Sequence, residues 1–447
     1  MGRFNKTKTF SEAARGTRAA KTPHSTFELT PHKLVYGGAA IGFARGQTVL
    51  VAGVIPGERV EVEPVSDAKG ITRARVRRIL MASPGRQVPP CPYFNTCGGC
   101  HYQHLAYPEQ IHWKREILRE TLRRIGKVAW EGKIRVHQAE PWHYRNQAEF
   151  KVERKPSGEV VLGFYQAESH HLVPIERCEI LSPCLNAALK QLNQTQWRER
   201  LGDFQAIHLR ADSSDERVRV LLRGKRASST AQVLARDLLL GIPQVIGVIA
   251  ATDNVSWAAG KDTVQNEIGG FEYQISAGAF FQTSRFLVID LVRAVLDGAE
   301  GKLAMDLYAG VGLFSLPLAQ RFAEVHAVES ELAAAHDLEQ NARAAGLGNI
   351  RISNEKAEDF LRRNAIHPPH FVVLDPPRAG AGPRVLGPLA ALRPDRICYV
   401  SCHPPTQARD LGFLLRRGYR LESVELFDLF PQTYHIESLA RLARTTE

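Results

Sequence analysis

The chain has 447 residues, 44% hydrophobic and 23% charged, a composition typical of globular proteins and a length that predicts two to four domains. Its N-terminus is basic and polar and lacks the apolar segment of a secretory signal. The longest apolar stretch, residues 238–251, contains Gly241 and Pro243 and is too short to span a bilayer. We therefore expect a cytoplasmic protein without a membrane partner, in which seven cysteines indicate metal binding or catalysis rather than disulfides.

The formal net charge of +11 is concentrated at one end of the chain. Residues 1–130 contain 21 Lys and Arg against 9 Asp and Glu, whereas the remaining residues contain 37 against 38. This asymmetry predicts that the N-terminal part binds a polyanion, with nucleic acid as the first candidate. A solubilising basic tail is the alternative.

Residues 1–24 are basic, small and polar, and we expect them to form a disordered arm. From residue 25 to residue 85, short runs alternate in polarity at period two between glycine turns. Several such strands within about 60 residues predict a small OB-type β-barrel, a fold that commonly binds nucleic acid. One late strand would carry four arginines: Arg73, Arg75, Arg77 and Arg78.

Residues 86–270 have a mixed pattern, from which we predict a central α+β domain. Within it, residues 108–126 form a clear amphipathic helix that could pack on the next domain. From residue 271 to residue 447, apolar runs alternate with helical segments, which predicts a parallel sheet covered on both faces. The expected fold class is therefore α/β, with a Rossmann-like C-terminal domain, an N-terminal barrel and a central α+β domain.

A glycine turn follows the first predicted strand of the C-terminal domain, with the spacing Gly310-x-Gly312-x-x-Ser315. Glu329 ends the next strand, 19 residues beyond Gly310, where a carboxylate can accept hydrogen bonds from both hydroxyls of a ribose. Asp306 precedes the turn and could hold a cationic group. The third glycine of a dinucleotide fingerprint is missing, so the pattern fits S-adenosylmethionine, which has a ribose but no pyrophosphate.

Asp375 and Cys402 each end a later strand and should lie on the same sheet edge as Asp306 and Glu329. A thiolate beside this cofactor suggests methylation of uracil C5, because addition of the thiolate to C6 makes C5 nucleophilic. A base must then remove the C5 proton, and Glu437 is a candidate. The alternatives are a helix cap for Asp375, a small buried residue for Cys402 and a solvated acid for Glu437.

The cysteines of "CPYFNTCGGCHYQH" have the spacing Cys91-x5-Cys97-x2-Cys100, which is typical of a metal site. A fourth ligand is required. His101 or His104 would suit zinc, whereas Cys178 would complete an all-thiolate set.

Five segments together resemble the RNA 5-methyluridine methyltransferase family: "GAFFQTS", "DLYAGVGLFSLPLA", "LDPPRAG", "SCHPPTQARDL" and "HIESLARL". The resemblance extends to the N-terminal barrel, which looks like the TRAM domain of that family. It implies that Cys402 attacks uracil and that Glu437 is the base. It also implies cofactor or base contacts by Gln282, Tyr308, Gly310, Glu329 and Asp375, and a [4Fe-4S] cluster on Cys91, Cys97, Cys100 and Cys178, with zinc as the alternative.

Three positions depart from the family pattern. His403 stands where asparagine is usual, Leu313 replaces a polar residue, and Lys356 occupies the position of an asparagine at the adenine. The resemblance favours large-subunit ribosomal RNA over transfer RNA as the substrate. We expect a monomer as the active form. The competing interpretation is a catalytically silent RNA-binding protein. A radical enzyme is disfavoured because its cysteine motif has the spacing x3 rather than x5.

Overall fold

The computed structural model describes residues 26–225, 230–252, 255–363 and 367–445. The predicted basic arm, residues 1–24, lies outside these ranges. Among the helices that are described, none is long and apolar enough to cross a membrane.

The N-terminal region is a six-stranded sheet in the order β1-β5-β6-β4-β3-β2. Strand β1 folds back onto β3, since a Cβ at Gly42 would lie 2.7 Å from a methyl carbon of Leu29. The four arginines predicted on one strand lie on β6 and are exposed, and Glu61 and Glu63 of β5 pair with three of them. The strands are β1 (Phe27–Leu29), β2 (Lys33–Leu34), β3 (Ala39–Ala44), β4 (Gln47–Ala52), β5 (Arg59–Ala68) and β6 (Ile71–Met81).

A seven-stranded sheet forms the central region, in the order β10-β9-β8-β11-β12-β13-β14, with its own buried hydrophobic core. Its strands are β8 (Gln147–Arg154), β9 (Val160–Tyr165), β10 (Leu172–Pro174), β11 (Ala206–Ala211), β12 (Val218–Arg223), β13 (Val245–Ala251) and β14 (Ser256–Gly260). Its helices are α2 (Pro183–Leu192), α3 (Thr195–Arg198) and α4 (Ala231–Gly241).

The C-terminal region contains an eight-stranded sheet in the order β19-β18-β17-β20-β21-β23-β22-β7. Its first five strands are parallel, and the central strand β20 is wholly apolar and buried, as expected for a sheet covered on both faces. They are β17 (Gly301–Leu307), β18 (Phe322–Glu329), β19 (Ile350–Asn354), β20 (Phe371–Leu374) and β21 (Arg396–Ser401). The others are β22 (Tyr419–Phe427), β23 (Glu437–Arg444) and β7 (Ile134–His137).

Helices connect these strands in the α/β manner predicted from the sequence. They are α5 (Val288–Leu296), α6 (Ser315–Ala319), α7 (Leu332–Ala344), α8 (Ala357–Arg363), α9 (Gly382–Ala391) and α10 (Pro404–Leu415). The fold class is therefore a mixed α/β protein with a Rossmann-like sheet and a β-rich N-terminal region.

Two features differ from the domain limits expected from the sequence. Strand β7, assigned to the central domain, extends the C-terminal sheet by pairing in parallel with β22. The expected limit at residue 270 falls within the turn of a hairpin formed by β15 (Thr263–Ile268) and β16 (Phe271–Ser276). Both differences arise from long-range pairing, which local polarity patterns do not encode.

Helix α1 (Tyr107–Thr121) continues through a π-helical turn (Leu122–Gly126) and packs directly on α10. The two helices approach so closely that a Cβ at Gly126 would lie 2.5 Å from the Ala408 carbonyl oxygen. A Cβ at Gly412 would lie 2.4 Å from the Gly126 oxygen. Because α10 begins directly after Cys402, this contact fixes the helix that follows the thiol.

A buried ion pair joins α1 to the segment before β23. Lys114 Nζ lies 2.6 Å from Asp428 Oδ1, and both side chains are fully buried. The ammonium also donates to the Phe430 carbonyl. Burial lowers the pKa of Lys114, whereas Asp428 opposes that change. The Asp428 carboxylate therefore stabilises the charged form of this buried ammonium.

We predict that Lys114→Met destabilises the fold by about 3–5 kcal/mol, because it leaves the Asp428 carboxylate buried and unpaired. Chemical denaturation followed by circular dichroism measures the loss. The matched control is Arg343→Met, which breaks the exposed pair with Glu339 and should cost about 0–1 kcal/mol. Equal stability of the two variants would contradict the prediction.

Candidate active site and cysteine site

Four of the predicted residues lie along one edge of the C-terminal sheet. Asp306 is the penultimate residue of β17 and Glu329 the last residue of β18, while Asp375 and Cys402 directly follow β20 and β21. These strands are neighbours and run in parallel, so their carboxyl ends meet at the same edge. The structure therefore brings together the residues that the sequence predicted to share this edge, the rim of the sheet.

The thiol and the candidate base are brought together by antiparallel pairing. Strand β23 lies between β21 and β22, and Ser401 pairs with Ser438. Cys402 follows the first residue and Glu437 precedes the second, so the two side chains leave the sheet at the same end. The Gln407 side chain braces the pair by donating to the Tyr399 carbonyl and accepting from the Ser438 hydroxyl.

The electrostatic surroundings of Cys402 include three charged neighbours. Burial, together with the charges of Glu437 and Asp375, raises the pKa of the thiol to about 12. The Arg378 guanidinium lowers it, both by its charge and by a hydrogen bond to the thiol. The two carboxylates thus disfavour the thiolate, and Arg378 is the group that favours it.

Three carboxyl groups at this edge are desolvated. Burial, together with the charges of Asp375 and Glu329, raises the pKa of Asp306 to about 7. Burial also raises the pKa of Asp375 to about 7 and that of Glu437 well above its usual value. One Asp306 oxygen accepts from Ser315 at 2.5 Å, whereas the other is buried without a partner among the described residues. Such a site favours a cationic ligand, because a positive charge would stabilise the ionised carboxylates.

The backbone of the glycine turn is hydrogen-bonded to the Glu329 carboxylate. The Gly310 amide donates to one Glu329 carboxylate oxygen at 2.9 Å, and the Glu331 amide donates to the other at 2.7 Å. These bonds orient the carboxylate and leave further lone pairs for ribose hydroxyls. Tyr308 adopts a φ of 70°, and its amide donates to the Val328 carbonyl. The residues present therefore fit S-adenosylmethionine, a ligand with a ribose and two cationic groups.

Of the other residues singled out in the sequence, Gln282 and Leu313 are buried and Lys356 is exposed. Gln282 is buried, and its amide donates to Asp375 at 3.4 Å. Leu313 is also buried, and its carbonyl accepts from the Tyr273 hydroxyl at 3.3 Å. Lys356 is exposed at the start of α8, and its backbone carbonyl accepts from two amides of that helix. The structure thus brings Gln282 to the rim and leaves the Lys356 side chain on the surface.

His403 serves as the N-cap of α10. Its Nδ1 accepts from the Thr406 amide at 3.4 Å and lies 3.0 Å from the Thr406 hydroxyl. Burial and the charge of Arg378 lower the pKa of His403, so the imidazole stays neutral and can accept these bonds. An asparagine side chain can fill the same capping role, which explains how histidine is accommodated here.

Two residues at the site were missed by the sequence analysis. Arg378 contacts Cys402 and lies 3.4 Å from His435 Nδ1. Its position directly after the Asp-Pro-Pro turn is the sequence feature that could have identified it. Tyr36, from the N-terminal region, packs edge-on against His403 with ring centroids 5.2 Å apart. No local pattern marked Tyr36, because only the docking of the N-terminal region brings it to this site.

The predicted cysteine ligands line one small cavity of about 50 Å³ between the central sheet and the loop 91–103. Burial raises the pKa of Cys100 to about 12 and that of Cys178 to about 11. The Cys178 and Cys97 charges add to the rise at Cys100, and Arg145 opposes the rise at Cys178. The four lining thiols are Cys91, Cys97, Cys100 and Cys178.

Within the described ranges, no group of three or more His, Cys, Asp or Glu side chains is arranged so that it could hold a metal ion. The thiols share a cavity but do not converge on one point. His101 and His104 do not belong to the cavity lining. His101 packs against Tyr434 with ring centroids 4.5 Å apart. The donor set that faces the cavity consists of sulfur.

Comparisons with known proteins agree with this geometry. Residues 106–445 match the family described as tRNA (uracil-5-)-methyltransferase. An uncharacterised RNA methyltransferase from Aquifex aeolicus is 34% identical, with 93% of this chain and 98% of the relative covered. One from Bacillus cereus is 32% identical, with 94% and 97% covered.

A solved structure extends the likeness to three dimensions. The Pyrococcus abyssi tRNA (uracil-54, C5)-methyltransferase, in complex with S-adenosyl-L-homocysteine, is 25% identical with a TM-score of 0.75. The alignment covers 93% of this chain and 99% of that one. The chain therefore belongs to the tRNA (uracil-5-)-methyltransferase family, whose members are S-adenosylmethionine-dependent RNA methyltransferases.

Proposed function

We propose that this enzyme methylates C5 of one uridine in RNA through a covalent adduct between Cys402 and uracil C6. The observation that carries the proposal is the pairing of Ser401 with Ser438, which sets the thiol beside Glu437 at the rim. A nucleophile and a base at one end of the sheet match the requirement of the reaction. The silent RNA-binding alternative does not account for this pairing of groups.

When bound, S-adenosylmethionine would supply the methyl group, and the electron pair of its sulfur–methyl bond would remain on sulfur in the product S-adenosylhomocysteine. The Cys402 thiolate forms a bond to C6, and the electron pair of the C5–C6 double bond moves toward C5, which then takes the methyl group. Glu437 removes the C5 proton, and the electron pair of that C–H bond restores the double bond as the bond from C6 to sulfur breaks. Arg378 favours the thiolate at the first step, because it lowers the thiol pKa.

The cofactor contacts follow from the same edge. In our proposal, Glu329 accepts from the ribose hydroxyls, while Asp306 and Asp375 face the cationic groups. Gln282 orients Asp375, and Tyr308 and Gly310 shape the turn around the ligand. Lys356 would have to approach the adenine from its exposed position at the start of α8.

We expect Cys402→Ala to form no adduct with RNA that contains 5-fluorouridine, because it lacks the nucleophile. Glu437→Gln should instead accumulate a methylated covalent complex with ordinary uridine RNA, with turnover reduced by about 10²–10⁴-fold. Denaturing gel electrophoresis and mass spectrometry measure both outcomes. Cys184→Ala is the matched control, since that thiol is buried in the central core. An adduct with Cys402→Ala would refute the proposal.

The pH dependence of the thiol provides a second prediction. Because the pKa of Cys402 is raised to about 12, its alkylation by iodoacetamide should accelerate as the pH rises toward that value. Removing the negative charge in Glu437→Gln removes a cause of the rise, so the profile should move to lower pH. Removing the positive charge in Arg378→Met should move it to higher pH. Peptide mapping measures modification of Cys402, and shifts of the opposite sign would contradict these assignments.

We further propose that the cysteine cavity holds a [4Fe-4S] cluster on Cys91, Cys97, Cys100 and Cys178. Four thiols in the lining and the absence of His101 and His104 from that lining favour iron–sulfur over zinc. Arg145 near Cys97 and Cys178 would offset the negative charge of the thiolates. Since methyl transfer requires no electron, the cluster would stabilise the fold or position RNA.

Anaerobically purified protein should contain about four iron atoms and show the broad visible absorption of iron–sulfur clusters. Cys178→Ser should lose both signals, whereas Cys184→Ser, which alters a thiol outside the cavity, should retain them. Metal analysis and absorption spectroscopy measure the result. Stoichiometric zinc without iron would refute the iron–sulfur assignment.

We propose ribosomal RNA of the large subunit as the substrate, on the sequence resemblance, and a cytoplasmic monomer as the active form. The second candidate substrate is transfer RNA, which is favoured by the similar Pyrococcus abyssi enzyme. Mapping 5-methyluridine in both RNAs from cells with and without the gene distinguishes them. Loss of the modification from transfer RNA alone would overturn the ribosomal assignment.

A further inference from the structure

A tight turn of the N-terminal region reaches the reaction site. Tyr36 precedes two glycines with positive φ, Gly37 and Gly38. A Cβ at Gly38 would lie 3.2 Å from the Tyr434 ring and 3.4 Å from His101, so the turn is pressed against the wall of the site. The Tyr36 ring stands edge-on to His403, the residue that follows Cys402. The N-terminal region therefore forms part of the site.

A groove leads away from this turn, between the N-terminal region and helix α1. Its first part, with a volume of about 380 Å³, begins at Tyr36 and Pro405 and passes Arg124 and Ile125. Its second part has a volume of about 520 Å³ and begins at Lys33. Both parts share Glu120, and residues 33–36 line the two in succession. The two parts therefore adjoin at Glu120, and the first part begins at Tyr36 and Pro405, three residues after Cys402.

Two tryptophans, Trp113 and Trp130, line the far part of the groove. Both are partly buried against the hydrophobic core, and their indole N–H groups lack partners among the described residues. The Trp130 ring lies over Gly132, where a Cβ would come within 2.4 Å of it. Arg119 ties this loop to α1 by donating to the Trp130 carbonyl. The aromatic pair is therefore held in place rather than free on the surface.

The groove also carries positive charge next to these rings. Lys33 and Arg124 share Glu120 as their ion-pair partner, at 2.6 and 3.3 Å, and Arg123 is exposed on the rim. In the far part, three cations face three acids: Lys33, Arg119 and Arg123 against Glu116, Glu120 and Glu131. Arg124 of the first part gives the whole groove an excess of one positive charge. Aromatic faces interleaved with cations are the surface that binds single-stranded nucleic acid, since bases stack and phosphates pair.

We propose that this groove binds the RNA strand that flanks the target uridine, and that Trp113 and Trp130 hold a second unstacked base. The inference rests on the proposed function for its starting point, the uridine at Cys402. Tyr36 directs the strand from the reaction site into the groove, and Arg123 and Arg124 contact its phosphates. The occupant is single-stranded RNA, because its bases are free to stack on the rings.

The test uses the full-length enzyme and oligoribonucleotides that contain the target uridine and extend to increasing length on either side. Extension on one side should tighten binding to the wild type. In Trp113→Leu/Trp130→Leu, that gain should fall by roughly fivefold or more, the loss expected when one base no longer stacks. Fluorescence anisotropy measures affinity, and thermal melting confirms folding. Arg123→Ala, an exposed change that should not affect folding, should also reduce the gain.

Trp257→Leu is the matched control, because that ring is partly buried on the central sheet, away from the groove. Equal affinity of the double variant and the wild type for RNA of every length would overturn the proposed role of the groove. An equal loss of affinity in Trp257→Leu would overturn it as well. Adducts on the shortest 5-fluorouridine RNA should form equally in all variants. Absence of adducts in the wild type would refute the proposed chemistry, while the length dependence would still test the groove.

Discussion

The site depends on the antiparallel insertion of β23 between β21 and β22. That register pairs Ser401 with Ser438 and sets Cys402 and Glu437 at one end of the sheet. A shift of one residue would turn each side chain to the opposite face, because strand side chains alternate with period two. Gln407 reinforces the register by contacting both strands from α10.

The rest of the molecule holds this arrangement in place. Helix α1 packs on α10 through the close contact of Gly126 with Gly412. The same helix fixes the segment before β23 through Lys114 and Asp428. The loop that follows Cys100 reaches this segment as well, because the His101 and Tyr102 amides donate to the Gln432 carbonyl. Backbone hydrogen bonds therefore connect the loop of the cysteine site to the segment that precedes β23 at the rim, although the two lie far apart in the chain.

Electrostatics connect the two halves of the reaction. Buried carboxyl groups at the rim repel one another and raise the thiol pKa, so a cationic methyl donor would relieve the repulsion. Binding of the donor would then favour the thiolate that the proposed attack on uracil requires. Arg378 provides a fixed positive charge beside that thiol. The proposed RNA groove also adjoins this site, because the turn at Tyr36, where the groove begins, packs against His403 beside the thiol.

The sequence alone determined the α/β class and the rim residues Asp306, Glu329, Asp375 and Cys402, because each lies at or next to the end of a strand that a local apolar run predicts. It also marked Cys91, Cys97 and Cys100 by their spacing, and the family resemblance added Cys178. Only the tertiary structure decided the position of Glu437, the transfer of β7 to the C-terminal sheet, the capping role of His403 and the arrival of Tyr36 and Arg378 at the thiol. These depend on pairing and packing between distant segments, whose free energy is not encoded in any local pattern.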